Sequence, residues 1–96
     1  MIKVVLKDNV ITISGHANSG EYGKDIVCAS VSSIIYTTIN ALKKIQESSI
    51  EVEDNASMII KILTEDEIVK ILIDNMMELL KALSNDYPKN LSVKEN

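Results

Sequence analysis

Apolar and polar residues alternate at the start of the chain. Ile2, Val4 and Leu6 fall on one side of a two-residue period, with Lys3 and Val5 on the other, which is the pattern of a strand. Asp8-Asn9 is turn chemistry. Val10, Thr12 and Ser14 then alternate with Ile11 and Ile13, so residues 2–14 predict a hairpin. After Asp25 the period lengthens. Val27, Val31, Ile34, Thr38, Leu42 and Ile45 recur at helical spacing and are expected to face a sheet, with Cys28, Ser32, Ile35 and Ile39 on the adjacent stripe. The run is rich in β-branched residues, but it continues for about 22 residues to Gln46, whereas strands rarely exceed ~10.

The second half repeats the scheme. Ile50 to Glu53 predicts a short strand, Asp54-Asn55 a turn, and Ser57 to Leu63 an apolar strand inside the sheet. Thr64 with Glu67 three residues on has the form of a capping box, with Glu65 and Asp66 adding favourable charge at a helix start. Ile68, Leu72, Met76, Leu79 and Leu83 make one stripe of that helix, and Val69, Ile73 and Leu80 widen it. So wide a stripe implies burial on two sides, against the sheet and against a second subunit. The helix is expected to end near Asn85, before Pro88, and Leu91 to Lys94 to form a last strand. The elements read ββαββαβ. They predict one α+β domain over residues 1–96, a two-layer sandwich with a mainly antiparallel sheet and two long helices on one face. The strand order cannot be read from the pattern.

Composition narrows the functional classes. With 96 residues and 46% hydrophobic content, the chain suits one modest core. Its aromatics are three tyrosines, so the core must be aliphatic. One cysteine rules out an internal disulfide and suits a reducing, cytoplasmic setting. MIKVVLKDNV has no long apolar segment behind a basic one, so no signal peptide is expected. The uncharged run Ile26 to Leu42 contains Ser30, Ser32, Ser33, Thr37, Thr38 and Asn40, which reads as too polar and slightly short for a membrane span. The net charge is −4 and every basic residue is lysine. Without arginine or a basic run interleaved with aromatics, direct nucleic-acid binding is not expected. An acidic surface suits a basic protein partner.

The chemistry is concentrated in GHANSGEYGKDIVCASVSS, Gly15 to Ser33, which holds the single histidine, the single cysteine and all three glycines. His16 falls at a strand end and Cys28 in the first turn of a helix, where unpaired N–H groups and the helix dipole favour a thiolate. A thiol and an imidazole are the minimal apparatus of nucleophilic catalysis. The loop between them, residues 17–24 with Gly20 and Gly23, is longer than most strand-to-helix connections and reads as a flap over a cleft. Asp25 is placed to cap the helix, or to orient the imidazole as a triad carboxylate would. Ser32 lies one turn after Cys28 on the same face. It can bond its own helix backbone or stand beside the site. One cysteine and one histidine leave a zinc site short of ligands, so no metal is expected, and nothing calls for a cofactor.

GHA, a glycine-containing loop and DIVCASVS together resemble the ribosomal-processing cysteine protease (Prp, YsxB-like) family. Gly15, His16, Ala17, Asp25, Ile26, Val27, Cys28, Ala29, Val31 and Ser32 match its signature, and Ser30 stands where alanine is common. The resemblance implies a cysteine endopeptidase with Cys28 as nucleophile and His16 as base and later acid. It implies removal of the N-terminal extension of a basic large-subunit ribosomal protein, and a homodimer. It also places Gly15, Asp25 and Ser32 beside the site. Two other readings of the residues stand beside it. One is a non-catalytic ribosome-assembly module in which His16 and Cys28 are structural; the other is a different thiol acyl transfer such as deamidation.

Overall fold

The computed structural model describes residues 1–15 and 25–96, Asp25 by its backbone alone. The elements are β1 (Ile2–Lys7), β2 (Val10–Ser14), α1 (Asp25–Ile45), a 3₁₀ turn (Glu47–Ser49), β3 (Ile50–Asp54), β4 (Met58–Ile62), α2 (Glu67–Asp86) and β5 (Leu91–Glu95). This is the expected ββαββαβ order. The strands form one sheet in the order β3-β4-β2-β1-β5. The pairings β1–β2, β2–β4 and β3–β4 are antiparallel and β1–β5 is parallel, so the sheet is mixed but mainly antiparallel.

The hairpin is set by its turn. Asp8 and Asn9 have φ of 51° and 65°, the left-handed pair of a two-residue type I′ loop, which Asx side chains tolerate. That loop places Lys7 opposite Val10 and Leu6 opposite Ile11. Ile2, Val4, Ile11, Ile50, Ile60 and Leu91 then enter one core with residues of both helices.

Both helices lie on that face for a topological reason. α1 connects β2 to the parallel strand β3, and α2 connects β4 to the parallel strand β5. The two crossovers run in opposite lateral directions from strands that point in opposite directions. The same right-handed sense in both therefore brings both helices to the same side.

The buried arc of each helix is rotated from the expected one. On α1 it is Val27, Val31, Ile35, Thr38, Ile39 and Leu42. Ile34 is only half-buried, and Ile45, in the last turn of the helix, is 51% exposed. The arc is thus centred towards the Cys28 stripe. Thr38 belongs to it because its hydroxyl donates to the Ile34 carbonyl at 2.9 Å, which satisfies the buried group within the helix. On α2 the centre is Val69, Ile73, Met76, Met77 and Leu80, while Ile68 and Leu79 are 55% and 48% exposed. The residues expected merely to widen the stripe are its middle.

The capping expectation for α2 is also corrected. Asp66, not Thr64, is the N-cap: its carboxylate accepts from the N–H groups of Ile68 (2.9 Å) and Val69 (3.4 Å). Thr64 Oγ1 instead accepts from Asp66 N–H at 3.2 Å, a local turn that delivers Asp66 to the cap position. At the other end Tyr87 N–H bonds the Leu83 carbonyl and Pro88 follows directly. The segment Ile26–Ile45 has a mean hydropathy of 1.3, so by length and composition it could cross a membrane, contrary to the reading of it as too polar. In the fold its apolar side is packed in the core, which accounts for that character.

Candidate active site

Cys28 is the fourth residue of α1, in the first turn. The helix is described from Asp25 onward, and the expected capping by the Asp25 side chain lies outside the described residues. Cys28 lies at the edge of the buried arc, half-buried and unpaired with another sulfur. It opens on a cleft of about 190 Å³ lined by Ile2, Ile13, Gly15, Val31, Ser32, Ile35, Tyr36 and Met58 as well as itself.

Three parts of the fold converge there. Ile13 pairs with both Val4 and Met58, so β1, β2 and β4 carry the apolar floor to the same end of the sheet. Gly15 ends β2 with φ of 83°, and a Cβ at this position would run into the Met1 carbonyl oxygen. Only glycine lets the chain leave the sheet in this direction and so close to β1. α1 supplies the other wall along one ridge, Cys28, Ser32 and Tyr36, at four-residue intervals. Ser32 is exposed on this wall.

Tyr36 closes the far end. Its hydroxyl donates to Asp54 Oδ2 at 3.0 Å, tying α1 to the β3–β4 turn. That hydrogen bond, with some desolvation and the carboxylate charge, raises the tyrosine pKa above its ordinary value. The phenol therefore remains a donor throughout the physiological range. Sequence reasoning did not single out Tyr36, Asp54 or Met58. The four-residue spacing from Cys28 through Ser32 could have pointed to Tyr36. Asp54 and Met58 depend on strand pairing.

The sequence-derived site is thus assembled in part. Gly15, Cys28 and Ser32 meet on one cleft. His16, the loop 17–24 with Gly20 and Gly23, and the side chain of Asp25 lie outside the described residues. No cluster of metal-ligating side chains occurs among the described residues. A larger cavity, about 570 Å³, lies at the opposite, hairpin end of the sheet, lined in part by Leu6, Asp8, Ile62, Lys70 and Asp74. The single cysteine lines the smaller cleft and not this one, so the smaller cleft is the better candidate.

The family model described as cysteine protease Prp matches residues 1–92. The chain belongs to the Prp cysteine protease family. A Mycoplasma genitalium protein named ribosomal processing cysteine protease Prp is 32% identical over 98 residues, covering 99% of this chain and 96% of its own length. A Staphylococcus aureus Prp is 28% identical over 85 residues, covering 84% of this chain and 80% of its own. The expected α+β fold is that of solved Prp structures. The crystal structure of the S. aureus enzyme with a covalently linked product peptide superimposes with a TM-score of 0.84 at 20% identity, over 99% of this chain and 97% of that one. A Streptococcus mutans protein, SMU.848, gives the same TM-score at 27% identity, over 98% and 90% of the two chains.

Proposed function

We propose that this Prp-family cysteine protease removes the N-terminal extension of a large-subunit ribosomal protein, with Cys28 as nucleophile and His16 as base and acid. The observation that carries the assignment is that a cysteine protease needs a thiol, and the single cysteine of this sequence stands half-buried on an open cleft in the first turn of a helix. A purely structural cysteine would be expected fully inside the core. His16 follows Gly15 directly in the chain, and Gly15 is a cleft residue.

In this reading His16 takes the Cys28 proton and the thiolate attacks the scissile carbonyl carbon. Unpaired N–H groups at the helix start are the proposed donors to the developing oxyanion. The imidazolium then protonates the leaving amine, which departs as the C-terminal product. His16 next deprotonates a water that attacks the thioester, releasing the carboxylate product and restoring the thiol. Gly15 shapes the cleft, Ser32 borders it, and Asp25 stands at the helix start. A cytoplasmic homodimer acting on a basic precursor fits the single cysteine, the net charge of −4 and the apolar residues left exposed on α2. The test is to incubate the protein with the extended ribosomal protein and measure product masses. A shortened protein with wild type and none with Cys28→Ala is expected; an unshortened substrate with wild type would refute the proposal.

A further inference from the structure

The Cys28 cleft is apolar along its floor and includes Tyr36 in its lining, whose hydroxyl donates to the Asp54 carboxylate. Ile2, Ile13, Val31, Ile35 and Met58 supply the floor. Tyr36 stands at the far end from Cys28, and Asp54, which accepts its hydrogen bond, lies opposite Met58 in the β3–β4 ladder. Asp54 is exposed. One bond from a neutral phenol orients a carboxylate without neutralising it, and leaves most of its acceptor sites open. The ion pairs Lys61–Glu53 and Lys81–Glu95 do not include Asp54, and none among the described residues does. An anion aimed by a fixed donor, beside the cleft and with no cation paired to it among the described residues, is set to take one from whatever lies in the cleft.

We propose that Asp54, oriented by Tyr36, is a specificity residue that pairs with a basic side chain of the bound peptide. This rests on the protease reading above and adds what the site selects. The helix ridge sets the distance. Eight residues separate Cys28 from Tyr36, which is about 12 Å along an α-helix. An extended peptide covers ~3.3 Å per residue. The basic residue therefore falls about three or four residues from the scissile bond, with the apolar floor taking the side chains between. Tyr36 acts through Asp54 and is a positioning residue.

The experiment uses peptides from the extended N-terminus of the ribosomal protein, made with lysine or norleucine at the third or fourth residue on either side of the scissile bond. Cleavage is measured as kcat/KM, and binding by fluorescence anisotropy in the Cys28→Ala protein. Wild type should prefer lysine over norleucine about two- to fivefold at one of these positions, the scale of an exposed ion pair. That preference should shrink with added salt. Asp54→Asn should reduce it to about unity in cleavage and in binding, and Asp54→Glu should restore part of it. Tyr36→Phe should weaken it through KM rather than kcat. A preference that persists in Asp54→Asn, or a wild type with none at any of these positions, overturns the proposal. Charge-selective binding through Asp54 without cleavage by any protein would refute the protease reading and leave Asp54 standing. Cleavage of both peptides at equal rates would do the reverse.

Discussion

Gly15 and Cys28 stand on the same cleft, one leaving β2 and the other entering the first turn of α1. Gly15 of the GHA segment and Cys28 of the DIVCASVS segment therefore meet in space, and a positive-φ glycine turns the chain beside Met1, where any side chain would collide. Gly15→Ala should cost roughly 1–3 kcal/mol for the strained backbone alone, and more for the displaced N-terminus. Urea unfolding measures it. A Gly15→Ala protein as stable as wild type would show that the turn does not need glycine.

Cys28→Ala and His16→Ala should each lower peptide cleavage by a factor on the order of 10⁴ or more, and the double variant by little beyond either, because residues acting as a unit fail together. Cys28 is only half-buried, so its replacement should leave the unfolding midpoint nearly unchanged. Single-turnover cleavage beside a thermal melt checks both parts. Turnover by Cys28→Ala at the wild-type rate would remove it as the nucleophile.

The two acceptors before α2 have unequal roles. Asp66→Ala removes the carboxylate that holds the Ile68 and Val69 amides and should cost about 1 kcal/mol, the usual capping loss. Thr64→Ala removes one exposed turn bond and should stay within about 0.5 kcal/mol. Chemical denaturation of the pair distinguishes this arrangement from a cap at Thr64, which would reverse the order.

Neighbouring leucines of α2 separate the buried arc from its flank. Leu80 is fully buried and Leu79 is about half exposed. Leu80→Ala should cost about 2–5 kcal/mol, and Leu79→Ala, as a surface change, within about 0.5 kcal/mol in the monomer. A large monomer loss at Leu79 would contradict the observed rotation of the helix.

Tyr36 gives a pH signature. Its pKa is raised in the folded state, first by the hydrogen bond to Asp54 and then by desolvation and the carboxylate charge. A raised pKa means that the contribution is present in full below the unfolded value of 10.0 and fades as pH climbs through the higher folded value. The phenolate absorbance of Tyr36, taken as the difference between wild type and Tyr36→Phe, should therefore appear above pH 10, and at lower pH in Asp54→Asn. Titration of Tyr36 at the same pH in both backgrounds would exclude the bond in solution.

Much of the fold follows from local periodicity. The Asp8-Asn9 turn, the two-residue alternation of Ile2–Ser14 and the helical spacing from Val27 to Leu42 are contained within neighbouring residues, whose backbone geometry sets which side chains share a face. The motif around Cys28 was likewise enough to indicate the family. Three features needed the tertiary structure. The strand order and the parallel β5 depend on pairings between distant segments, which no local period encodes. The centres of the buried arcs depend on where each helix meets the sheet: a stripe spaced at three and four residues admits more than one centre, and packing selected Ile35 over Ile34 and Leu80 over Leu79. The cleft itself is the third. Cys28, Ser32 and Tyr36 share a helix ridge that the sequence already implies, but Met58 reaches the cleft and Asp54 reaches Tyr36 only because β3 and β4 pair beside β2. A site assembled across strands is decided by the sheet, since hydrogen-bonded register alone determines which residues stand opposite one another.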